Sequence, residues 1–227
     1  MFDGVNRRIL VSAAAALALA ALAAGCGGND TAATPSTPAT SLVKGCDVAP
    51  PARAAAPKTY DAEPPMTVDA ARKYTATMTT SCGTLTIALD PKAAPHTVNS
   101  FVFLAREGFF DGLAFHRILP DFVAQGGAPG GAPDGGPGYE FQDELPSRPY
   151  RVGDIAMANA GPGTNGSQFF LITGARGAAL GPDYSLFGHV TKGADVLKRL
   201  NAVADPTASS GTPVQPTYIQ SVTIAEK

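Results

Sequence analysis

Polar and apolar residues alternate over Tyr74–Thr80 and Thr84–Leu89, and both runs are rich in β-branched side chains, the signature of strands with one buried face. Only Ser81-Cys82-Gly83 separates them, so the pair is expected to form a hairpin. After Pro95 the period lengthens. Val98, Phe101, Val102 and Ala105 recur on one helical face, Pro95 suits a first-turn position and Gly108 ends the pattern, which predicts an amphipathic helix with its apolar stripe inward. Short apolar runs follow at Ala114–Leu119, Phe122–Gln125, Ile155–Ala158, Gln168–Ile172 and Ser185–Val190, punctuated by Gly and Pro. A second helix fits Ala194–Asn201, with Val196, Leu197 and Leu200 on one face, and Tyr218–Ala225 alternates as a closing strand. This order predicts a mostly β fold, a barrel or a sandwich, with two helices.

The first 65 residues obey neither period. Arg7 and Arg8 precede an apolar run, Ile9–Ala24, too short to span a bilayer comfortably and suited to an export signal over residues 1–25. The run ends in Leu22-Ala23-Ala24-Gly25-Cys26, where small residues before a cysteine resemble the lipobox of bacterial lipoproteins. The resemblance implies that Cys26 becomes the acylated N-terminus, anchored in the lipid bilayer at the outer face of the cytoplasmic membrane. It departs from the usual pattern in carrying Ala23, with Leu22 one place further back. Secretion with a free cysteine is the alternative. Residues 26–65 are rich in Ala, Pro and Thr and lack apolar periodicity, so they read as a tether leading to a folded domain over residues 66–227. With Cys26 acylated, Cys46 and Cys82 remain, in a compartment where disulfides persist. They are expected to pair and tie the pre-domain segment to the first strands, two free thiols being the other reading.

Composition changes the picture mainly by exclusion. A chain of 227 residues with 44% hydrophobic and 16% charged residues suits one core plus appendages. A formal charge of -2 without any Lys/Arg run leaves no footprint for a phosphate backbone, so nucleic acid is not an expected partner. No Gly-x-Ser-x-Gly elbow supports a serine hydrolase, and the 3 histidines lack paired metal-ligand spacing. No metal site is expected, and a monomer is the default.

Two stretches carry candidate chemistry. In Phe115–Gly127 ("FHRILPDFVAQGG"), strand alternation would put Phe115 and Arg117 on one face, a cation beside an aromatic ring. A surface arginine packing its stem on Phe115 is the plainer reading. In Met157–Ile172 ("MANAGPGTNGSQFFLI"), a strand end runs into a Gly/Pro/Asn loop and returns as another strand. Such a turn can present the backbone of Ala158 and Asn159 as an edge for an extended peptide. A tight structural loop would look the same.

These two stretches, with Leu180–Gly188 as a third, closely resemble the cyclophilin family of peptidyl-prolyl cis/trans isomerases from about Tyr74 to the C-terminus. The resemblance implies a closed, antiparallel eight-stranded β-barrel capped by two α-helices, acting on proline-containing polypeptides. It makes Arg117 the catalytic arginine, Gln125 and Gln168 polar walls of the pocket, and Ala158 and Asn159 the strand that pairs with substrate. Phe122, Phe170 and Leu180 form the proline pocket, with His116 and Tyr184 beside it. Val123 stands where many members carry methionine, and Tyr184 where many carry histidine. Rotation about an imide breaks no σ bond, so the implied reaction needs no cofactor. A module that holds Pro-containing segments without turning them over would use the same groove.

Overall fold

The β1–β2 hairpin (Tyr74–Thr80 and Gly83–Leu89) closes through Ser81 and Cys82, with Thr80 opposite Gly83. The computed structural model describes residues 42–47, 49, 58–131 and 135–227, all within a unit spanning Thr40–Lys227. The export signal, Cys26 and most of the expected tether lie outside the described residues.

Helix α1 (Pro95–Arg106) presents Val98, Phe101, Val102, Leu104 and Ala105 to the interior and stops two residues before Gly108, whose φ of 65° ends the turn. Strands β3 (Arg117–Ile118), β4 (Val123–Gly126), β5 (Asp154–Met157), β6 (Phe169–Ile172) and β7 (Leu186–Lys192) follow. A four-residue helix α2 (Ala175–Ala178) lies between β6 and β7, helix α3 (Ala194–Ala202) after β7, and β8 (Ile219–Glu226) last. One antiparallel sheet runs in the order β3-β4-β6-β5-β7-β2-β1-β8. The main core lies on its inner face. Phe101 of α1 sits among the rings of Phe110, Phe169 and Phe187, with centroids 5.0, 5.8 and 5.1 Å away, and each such fully buried side chain contributes roughly 1.5–3 kcal/mol.

Three expectations are corrected. The sheet is a curled, open half-barrel rather than a closed barrel: β3 and β8 are its end strands. The isolated bridge of Ala114 with Tyr218, the bonds joining Gly112, Leu113 and Phe115 to Thr217 and Ile219 (each 2.8 Å) and that from Ile118 N–H to Gly211 O (2.7 Å) draw those ends together. Closure needs a continuous ladder, and β3 is only two residues long. Helix α2 adds a third helix to the two expected. Phe115 and Arg117 do not share a face. Phe115 precedes β3 and is buried with Ile118 in the main core, whereas Arg117 pairs with Gln125 on the opposite face.

Residues 58–65 pack on the domain. Asn99 of α1 donates to the carbonyls of Pro64 and Pro65 and accepts from Thr67 N–H at 2.8 Å, while Glu63 meets His96 at 2.9 Å. Cys46 and Cys82 form a disulfide.

Asp154, fully buried at the start of β5, takes two bonds from Arg148 (2.7 and 3.0 Å) and one each from His189 Nδ1 and Arg151 N–H, both 2.8 Å. Burial alone would raise its pKa, but these donors override it and hold the carboxyl below the usual carboxylate value. A depressed folded pKa stabilises the fold above the unfolded value, near 3.9, and the gain is lost as pH falls through the folded value. Asp154→Asn is expected to cost about 2 kcal/mol at pH 7 and to flatten the acid limb of stability below pH ~4. Denaturant titrations followed by circular dichroism across pH 2–7 measure both.

Candidate active site

Because alternate strand residues point to opposite faces, the register that sends Ile118, Ala124, Leu171 and Ile155 into the main core sends Arg117, Gln125, Phe170 and Ala156 to the other side. That outer face carries a second apolar cluster. Val123, Tyr150, Ala156, Phe170, Ile172 and Leu186 are buried in it, with Phe122, Ala158, Ala178, Leu180 and Tyr184 partly buried around them. The alternation in β4 and β6 therefore builds two cores from single strands. The smaller one is an apolar slot whose rim is open to solvent.

The rim of the slot is set by two clamps. Asp121, at φ 54°, turns the chain ahead of Phe122. Its Oδ1 accepts the N–H of Ala175 at 2.8 Å, its carbonyl accepts Arg176 N–H at 3.0 Å, and Phe122 O accepts Thr173 N–H at 3.0 Å. Helix α2 thus fixes the Phe122 ring, with the Arg176 guanidinium carbon 5.9 Å from its centroid. On the far side Tyr150 Oη donates to Tyr184 O at 2.6 Å and accepts Tyr184 N–H at 3.0 Å. Burial pushes the Tyr150 phenol up to about 12, so it stays protonated. Tyr184 then stands edge-on to Phe170, ring centroids 5.3 Å apart.

A polar relay runs beside the slot. Arg117 Nη1 donates to Gln125 Oε1 at 3.3 Å, Gln125 Nε2 donates to Gln168 Oε1 at 3.1 Å, and Gln168 Nε2 donates to Gly135 O at 3.0 Å. The guanidinium is half-buried, so its field acts through a medium less screening than bulk water. His116 sits next to it with a buried Nδ1 that has no hydrogen-bond partner among the described residues. Burial, and then Arg117, lower its pKa, which favours a neutral ring at pH 7.

Ala158 N–H is bonded to Gln168 O at 2.9 Å, which ties the start of the expected substrate edge, Ala158 and Asn159, to β6. Asn159 is held by side-chain bonds to Asp143 Oδ1 (3.2 Å) and Asp183 O (3.3 Å). Asp143 also accepts Gly163 N–H at 2.7 Å and Asn165 Nδ2 at 3.0 Å, so one carboxylate pins the whole 159–165 loop. The chain pattern around Asp143 gives no hint of this, because its partners lie 16 to 22 residues away.

The arrangement brings Arg117, Phe122, Val123, Gln125, Ala158, Asn159, Gln168, Phe170, Leu180 and Tyr184 onto one face. A half-buried cation, a relay of carboxamides and an apolar slot thus lie side by side, an arrangement that can hold an extended peptide with a ring-like side chain in the slot. The chain belongs to the cyclophilin-type peptidyl-prolyl cis-trans isomerase family. The family model described as "Cyclophilin type peptidyl-prolyl cis-trans isomerase/CLD" matches residues 75–224. A peptidyl-prolyl cis-trans isomerase of Schizosaccharomyces pombe is 44% identical over 145 residues, 62% of this chain and 92% of that protein. Peptidyl-prolyl cis-trans isomerase B of Bacillus subtilis is 45% identical over 115 residues, 50% of this chain and 80% of that one. A Cryptosporidium parvum cyclophilin-type isomerase crystallised in the presence of the dipeptide Ala-Pro superposes with a TM-score of 0.61 at 30% identity, over 66% of this chain and 98% of that chain.

Phe122→Ala is expected to weaken binding of a Pro-containing peptide about tenfold, the loss of roughly 1.5 kcal/mol of apolar burial. Calorimetric titration measures it, and unchanged affinity would remove Phe122 from the pocket.

Proposed function

We propose that the protein accelerates cis/trans isomerisation of X-Pro bonds in exported polypeptides, working as a monomer tethered to the outer face of the cytoplasmic membrane through acylated Cys26. The row Arg117–Gln125–Phe170 carries this reading: it puts a fixed cation at the lip of an apolar slot, on adjacent strands.

Rotation of an imide must lose C–N double-bond character, a barrier of roughly 18–20 kcal/mol. Catalysis requires only that the twisted amide be bound better than either planar isomer. The slot formed by Phe122, Val123, Phe170 and Leu180 grips the prolyl ring, and Asn159 holds the flanking main chain while the rest of the peptide turns. As the bond twists, the nitrogen gains lone-pair character. Arg117, oriented by Gln125, favours that charge distribution without reorganising. No side chain gains or loses a covalent bond. The Cys46–Cys82 disulfide supports an oxidising compartment, and the basic and apolar residues ahead of Cys26 support export.

A protease-coupled assay on a peptide with a cis-proline population tests the activity, and intact-mass analysis of membrane-extracted protein tests the anchor. Isomerisation at the uncatalysed rate would defeat the first half of the reading. A mass without a diacylglyceryl group on Cys26 would defeat the second.

A further inference from the structure

Gln125 does not hold Arg117 unaided. The bond between them is 3.3 Å long, past the usual range of roughly 2.7–3.2 Å, and a long side chain with many rotamers needs further restraint to stay in one of them. The loop between α3 and β8, residues 203–218, supplies it. Thr217 O accepts Phe115 N–H at 2.8 Å and Gly211 O accepts Ile118 N–H at 2.7 Å, so residues 211–217 are bonded to the chain on both sides of Arg117. Gly211 is buried at φ +77°, and a Cβ there would meet Arg117 Cγ at 2.8 Å and Leu119 Cδ2 at 3.1 Å. Only glycine leaves the arginine stem its present path.

The loop is in turn fixed by a part of the chain that lies ahead of the family-matched residues 75–224. Gln215 is buried, and its Oε1 accepts Val43 N–H at 2.6 Å. Its Nε2 is buried with no hydrogen-bond partner among the described residues. A buried carboxamide with an unpaired donor is costly, and an apolar residue would fill the place at less expense, so the bond to Val43 is what this glutamine contributes. Val43 and Cys46 pack on the main core, Val43 O accepts Cys46 N–H at 3.2 Å, and Cys46 is joined to Cys82. A continuous set of contacts therefore runs from the disulfide through Val43 and Gln215 to Gly211 and the stem of Arg117.

Building on the isomerase reading above, we infer that Gly211 and Gln215 are positioning residues for Arg117 and that pre-domain residues 43–46 lock them in place. The pre-domain segment then serves turnover as well as attachment. The test is kcat and KM of the full chain on a Pro-containing peptide for wild type, Gly211→Ala, Val43→Pro and Val43→Ala, each also made in the Arg117→Ala background, with circular dichroism of every variant. Gly211→Ala displaces the arginine stem and should lower kcat about tenfold. Val43→Pro deletes the N–H that Gln215 accepts and should lower it about threefold. Both should leave KM within about twofold, since a shift of about 1 Å at a catalytic group is enough for losses of this order. Val43→Ala keeps the N–H and should stay within about 1.5-fold of wild type. In the Arg117→Ala background neither substitution should lower kcat further, because positioning acts only through the guanidinium. Unchanged kcat in either Gly211→Ala or Val43→Pro, equal losses in Val43→Pro and Val43→Ala, or equal losses with and without Arg117 would overturn the inference, while turnover by wild type left the isomerase reading standing. If Gly211→Ala does not fold, the two Val43 variants decide alone. No turnover by wild type would overturn both.

Discussion

Arg117→Ala is expected to lower kcat/KM on a Pro-containing peptide about a hundredfold, with near-native circular dichroism and an unfolding midpoint within a few degrees of wild type. The magnitude follows from the kind of interaction removed: deleting one preorganised donor aimed at developing charge costs on the order of 10²–10³ in rate. The fold should survive because the guanidinium belongs to the outer face of β3, whereas the strand is held by Ile118, which is fully buried in the main core. Arg117→Lys should recover only part of the loss. It keeps the charge but not the planar fork that Gln125 orients. Protease-coupled kinetics of the three proteins side by side provide the measurement, and wild-type turnover in Arg117→Ala would take Arg117 out of the mechanism.

Removing the disulfide should have the largest effect on stability. Cys46 and Cys82 are 36 residues apart, and on the loop-closure model a bridge of that span stabilises by about 4 kcal/mol, or roughly 8–16 °C in Tm for a domain of this size. The bridge does not act alone. Asp47 N–H donates to Ser81 O at 2.7 Å, Val43 N–H donates to Gln215 Oε1 at 2.6 Å, and Arg199 Nε donates to Cys82 O at 2.8 Å. These bonds spread the clamp over the β1–β2 turn, the approach to β8 and α3. Cys46→Ala/Cys82→Ala is therefore expected to unfold at lower temperature and to release residues 42–47 to proteolysis. Equal unfolding midpoints in the double variant and in wild type would show that the bridge adds nothing.

The elements legible in the sequence are those whose partners are close along the chain. The hairpin reads from period-2 alternation, and α1 and α3 from the 3.6-residue recurrence of Val98, Phe101, Val102 and of Val196, Leu197, Leu200. The strand expected over Ala114–Leu119 shrank to Arg117–Ile118 because its partners are set by the loop at Gly211 and by Tyr218, a hundred residues downstream. Helix α2 has no apolar period and exists because Asp121 meets the N–H groups of Ala175 and Arg176. The site behaves in the same way. Pattern alone left Arg117 as a surface cation, and only the resemblance to a known family gathered it with Phe170. Asp143 and Tyr150 act through contacts to remote residues, so neither route exposed them.

In the proposed mechanism Arg117 stabilises the half-rotated imide more than either planar isomer. The most direct measurement pairs calorimetry with exchange NMR on Arg117→Ala saturated with a Pro-containing peptide, which separates affinity from the rate of interconversion on the protein. A Kd within about threefold of wild type and interconversion slowed about a hundredfold are expected, the signature of an interaction made only in the transition state. Interconversion at the wild-type rate, or a loss of affinity equal to the loss of rate, would contradict it.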